Sequence, residues 1–160
     1  MDRIGKVRDA IADILFERKD IRNRLITHTH LTSVALLCGL IAKKRGANIE
    51  LAVMTGLLHD LYSFITEGVP PLEDKVAKSN KDADVAREVL RNLEITTANE
   101  TEIICKAVCY RGTGDYSELV EILLDANLLQ HAYHNPILPI EYGEKRVVEL
   151  LAEFGIDSEV

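Results

Sequence analysis

The residues with most chemical potential are polar groups set where their neighbours are apolar. Asp125 lies inside I-L-L-D-A-N-L-L, flanked by apolar residues on both sides. A buried carboxylate left alone is costly, so it must be paired, neutralised or bound to a metal. An Asp bonded to a buried arginine or to backbone amides meets that demand as well as a ligand does. His59 and Asp60 end the run L-A-V-M-T-G-L-L, whose periodicity asks for no polar residue. On a continuous helix the two side chains would diverge by about 100°, and they could share an ion only over the helix edge. His30 falls on one stripe with Val34, Leu37 and Ile41, so it faces the core with them. Such a histidine can equally be a satisfied core residue. His28, two positions earlier, points to the other side. Taken together, His30, His59, Asp60 and Asp125 supply two imidazoles and two carboxylates, a set that neutralises one divalent cation. Imidazole ligands favour a first-row transition metal over Mg²⁺ or Ca²⁺, leaving Mn, Fe, Co, Ni and Zn open.

The elements that must position these residues read as helices nearly throughout. Ile4, Val7, Ile11, Ile14 and Leu15 recur at helical steps, predicting a first helix from Arg3 to Arg18. A second is expected from Ile26 or Thr29 to Arg45, stopped by Gly46. Asn48 can cap a third over Ile49 to Tyr62. Ser63 to Lys78, with Gly68, Pro70 and Pro71, reads as a loop, and a loop this long is often functional rather than a mere connector. Helical period resumes over Asp82 to Leu93, Asn99 to Tyr110 and Ser117 to Tyr133, and a last helix spans Gly143 to Phe154. The expected class is all-α: one domain over residues 1–160, about seven helices, a core over about 26–134 and a C-terminal helix over about 143–154.

Here a resemblance enters. H-L-T-S-V-A from His30, then G-L-L-H-D-L from Gly56 with its histidine 29 positions on, resembles the HD-domain superfamily of metal-dependent phosphohydrolases. Asp125, in L-L-D-A-N-L-L-Q and 65 positions after Asp60, matches the last residue of the order H…HD…D. The resemblance spans His28 to His134 and implies a bundle of five core helices with the metal at its centre. It implies His30, His59, Asp60 and Asp125 as ligands, with His28 the rival for the first place. Members holding two metals use further histidines. At the equivalent spacings this chain has Lys78 and Arg111, which implies a single metal. The implied activity is hydrolysis of a small phosphoester such as a nucleotide by metal-activated water. Asp60 would orient that water, and Lys75, Lys78 and Arg111 would balance the substrate's charge. The alternative is a non-catalytic metal- or nucleotide-binding regulatory module of the same fold.

Composition narrows the classes further. Hydrophobic residues make up 47% and charged residues 28%, the proportions of a globular chain. A formal charge of −7 argues against a nucleic-acid polymer or an anionic membrane as partner. The longest unbroken apolar run, Val34 to Ala42, falls short of the roughly 20 residues of a membrane span. The charged N-terminus lacks a signal segment, so a cytoplasmic protein is expected. Cys38, Cys105 and Cys109 form no C-x-x-C pair and read as buried, unreactive thiols.

Overall fold

The computed structural model describes residues 2–17, 20–62, 75–110, 112, 116–134 and 144–156. Seven helices and no strand occur among them. They are α1 (Arg3–Phe16), α2 (Ile21–Arg45), α3 (Ile49–Leu58), α4 (Lys75–Leu93), α5 (Ala98–Cys109), α6 (Glu118–His134) and α7 (Glu144–Glu153). The all-α expectation holds.

Local chemistry explains where the helices begin. The Asp20 carboxylate accepts from the amides of Arg22 at 2.9 Å and Asn23 at 3.3 Å, so α2 starts before its apolar period does. Thr97 and Glu100 form a reciprocal capping box at the start of α5. Gly46, at φ 74°, ends α2 in the left-handed region that glycine adopts without steric cost. Lys75 and Lys78, expected in a loop, stand instead on the opening turns of α4. The rest of that loop, residues 63–74, lies outside the described residues.

α2 is the axis of the bundle. Its Leu31 and Ala35 join a cluster with Val7, Met54, Leu58, Leu90, Ile104 and Val108. Its Val34, Cys38 and Ile41 join a second with Ile122, Ala126, Leu129 and Leu150. An 18-residue window of α2 has mean hydropathy 1.6, so by length and composition this helix is apolar enough to cross a membrane. Counting only unbroken apolar residues misses this, because Thr and Ser interrupt the run. Seven of its residues are buried within the bundle.

Two close contacts set the position of α3. A Cβ on Gly56 would lie 2.6 Å from the Ala35 Cα and 3.1 Å from the Cys38 sulfur, so only glycine lets α3 approach α2 this closely. Arg3 ties α1 to the starts of α3 and α5 through Glu50 at 2.6 Å and Glu100 at 3.0 Å. Cys38 and Cys105 are buried, and burial pushes their thiols up to about 12 and about 11. Cys109 is only half-buried, and its thiol donates to the side-chain Oδ1 of Asn80 at 3.2 Å.

Candidate metal centre

His59 and Asp60 do not lie on the helix that leads to them. α3 ends at Leu58, His59 is extended at ψ 148°, and Asp60 sits at φ 54° in the left-handed region. Few residues other than glycine take that conformation, and Asp is among those that do. The turn replaces the divergence expected on a helix. It brings the Asp60 carboxylate to 4.0 Å from the His59 Nε2.

The His59 Nδ1 lies 2.6 Å from the Gly56 carbonyl, to which it can only donate. That bond fixes the ring and leaves Nε2 as the nitrogen open to a ligand role. Across the α2–α3 contact that Gly56 permits, this Nε2 lies 3.0 Å from the Nε2 of His30. One donor atom from each of His30, His59 and Asp60 falls within 4.8 Å of the others.

This arrangement fits a divalent transition metal. Two imidazole nitrogens at right angles, each about 2.1 Å from one ion, stand about 3.0 Å apart. Burial lowers His30 to about 4, and neighbouring His59 adds to the effect while Asp60 opposes it. His30 is therefore neutral at physiological pH, the form that ligates. His28 is exposed and outside the group, whereas His30 is within it.

Asp125 is placed elsewhere. Its carboxylate accepts from the Arg45 Nη2 at 2.8 Å, and from the Arg146 Nε at 3.0 Å and Nη2 at 2.7 Å. Glu153 holds the other edge of Arg45 at 2.9 Å, and Glu121 meets Arg146 at 3.2 Å. Asp125 thus takes the other course open to it in the sequence, a carboxylate bonded to arginine, here the partly buried Arg45 and the more exposed Arg146. It is not in the group of neighbouring donors found among the described residues. Apolar neighbours say that Asp125 needs a partner, without saying which.

The side chains of Lys75 and Lys78, and Arg111 altogether, lie outside the described residues. Lys81, one turn after Lys78, is a described cation on the same helix. Its Nζ lies 3.2 Å from the Tyr62 hydroxyl and 5.1 Å from that ring. Tyr62 is two residues past Asp60, and its amide donates to the buried Asp82 of α4 at 2.9 Å. Sequence reasoning gave Lys81 no role, since a lysine on a polar helix face carries no signal. His131 is exposed, and its ring lies 5.7 Å from that of His30, centroid to centroid, tilted by 47°.

The HD-domain family model matches residues 27–133, which include α3 to α5, α6 up to its last residue and all of α2 after its first turns. No curated protein and no solved structure matches the chain. With two thirds of its length matched, and with His30 and the His59-Asp60 pair converging in space, the chain belongs to the HD-domain family.

Proposed function

We propose that this protein is a mononuclear metal-dependent phosphohydrolase acting on a small phosphoester such as a nucleotide. The observation that carries the reading is the convergence of His30, His59 and Asp60 donors within 4.8 Å. A transition-metal ion bound there would lower the pKa of its water and polarise a phosphoryl oxygen. His30 and His59 would hold that ion as neutral donors, with the Nδ1 of His59 anchored on the Gly56 carbonyl. Asp60 would offset part of its charge and, through its second carboxylate oxygen, orient the attacking water. Lys75, Lys78 and Arg111 balance the charge of the substrate, an assignment that rests on their spacing in the sequence. Lys81 extends the same basic edge of α4 beside Tyr62. The acidic balance of the chain favours a small molecule over a nucleic-acid polymer, and its free cysteines suit a reducing cytoplasm.

A second reading, a metal- or nucleotide-binding regulatory module, draws on the engagement of Asp125 with Arg45 and Arg146. That engagement leaves one carboxylate, not two, in the group. Turnover separates the readings. Purified protein loaded in turn with Mn, Fe, Co, Ni or Zn is expected to release phosphate from at least one nucleotide or simple phosphoester. Asp60→Ala is expected to abolish that release. Undiminished hydrolysis in the variant refutes the assignment, and binding without turnover in the wild type favours the regulatory module.

A further inference from the structure

The face of α6 that meets His30 carries amides in place of carboxylates. Gln130 is only 6% exposed, and its side chain lies against that of His30. Among the described residues, no hydrogen bond of ordinary geometry satisfies its Oε1. Asn127 stands three positions before Gln130 and four before His131, so it shares their face of the helix. Its Oδ1 is also shielded from water and has no hydrogen-bond partner among the described residues. A buried carbonyl oxygen without a donor suffers the full cost of its lost hydration. Two of them on one face, beside a group with three of its donors in place, have a common explanation in a ligand that both address.

We propose that α6 closes the cation site with the neutral amide oxygens of Asn127 and Gln130, in the place that sequence alone gives to Asp125. This rests on the reading of His30, His59 and Asp60 as metal ligands. Asp125 precedes Asn127 by two residues, which turns it about 200° around the helix towards Arg45 and Arg146. Amide carbonyls are established oxygen donors to divalent cations. The choice of amide has a chemical consequence. With Asp60 as the one anionic donor among the described residues of the group, a bound dication keeps one net positive charge. The site then attracts an anionic substrate oxygen more strongly than a site with two carboxylates, and it holds its metal less tightly.

The test is Co²⁺ binding to the full chain, followed by calorimetry and by the visible d–d absorption that reports coordination. The Asn127→Leu/Gln130→Leu double variant is expected to bind Co²⁺ at least about tenfold more weakly, with an altered spectrum. Asn127→Asp, which adds a carboxylate at nearly constant volume, is expected to bind about tenfold more tightly or better. A folded double variant with wild-type affinity and spectrum overturns the proposal. So does a folded Asn127→Asp that binds no more tightly than wild type, which keeps the test open if the leucine variant fails to fold. His59→Gln separates this failure from failure of the underlying site. If it too binds like wild type, or if wild type takes up no Co²⁺, the three-residue metal site falls, and the amide proposal with it.

Discussion

Asp125→Ala separates the two roles open to a carboxylate inside an apolar helix. The Asp125 side chain is 7% exposed and accepts three hydrogen bonds from Arg45 and Arg146. Removing one member of a fully buried ion pair costs about 3–5 kcal/mol, mainly through the charge left behind. Two features reduce that figure. Arg146 is 40% exposed, so water and salt screen its charge. Both arginines also keep other carboxylates, Glu153 beside Arg45 and Glu121 beside Arg146. Arg45, at 17% exposure, cannot recover by solvation alone, so about 2–3 kcal/mol is expected to remain. In a domain of this size that lowers Tm by about 5–10 °C. Thermal unfolding by circular dichroism measures the loss, and elemental mass spectrometry of the same samples measures metal content. The expected result is a clear fall in Tm with metal content held at the wild-type level. Lost metal with an unmoved Tm refutes the ion-pair assignment and returns Asp125 to the ligand set.

Other perturbations give different signs. Gly56→Ala drives a methyl into the Ala35 backbone, so α3 must withdraw from α2. Overpacking of this kind costs about 1–3 kcal/mol in urea unfolding, and the separation of His30 from His59 should weaken metal binding at the same time. Asp60→Gly relieves a side chain held at φ 54° and is expected to stabilise the protein by up to about 1 kcal/mol while metal affinity falls. Destabilisation there would show that the Asp60 carboxylate holds the turn together. Stability should also fall on acidification, in two stages. In the metal-free protein His30 titrates at about 4 against 6.5 for the free side chain, so the unfolded chain takes up the proton first and stability declines as pH falls from 6.5 to about 4. At about 1.36 kcal/mol per pH unit this stage amounts to about 3 kcal/mol before solvent screening reduces it. Glu100, held low by the Thr97 amide and Arg3, and Glu153, held low by Arg45, add to the loss as pH falls below 4.5. Urea midpoints at intervals from pH 7 to pH 3 follow both stages, and a midpoint that rises on acidification contradicts the assignment.

Much of the scaffold can be read from the sequence because its signals are local. The apolar period places the helices, and Asn48 and Gly46 mark ends that the structure shares. The errors are also local in origin. Asp20 starts α2 earlier than its apolar stripe, and α4 opens at Lys75 among polar residues that carry no periodic signal. His59-Asp60 was visible as two polar residues at the end of an apolar run. Its departure from the helix was not, because a single residue in the left-handed region leaves no mark on the apolar period.

What the sequence determined by itself is therefore the helical class, the order H…HD, and the need of each buried polar residue for a partner. Desolvation makes that need a property of the residue and its neighbours along the chain. The partner was decided by the tertiary structure. Asp125 and Asn127 are two positions apart and point to nearly opposite sides of α6, so the rotation of that helix chooses which of them faces His30. Ile122, Leu123, Ala126 and Leu129 fix the rotation by packing against Val34, Cys38 and Ile41 of α2. Arg45 and Arg146, 80 and 21 positions from Asp125, then meet its carboxylate on the other side. No spacing in the chain encodes that encounter, because it arises only when the apolar faces have closed.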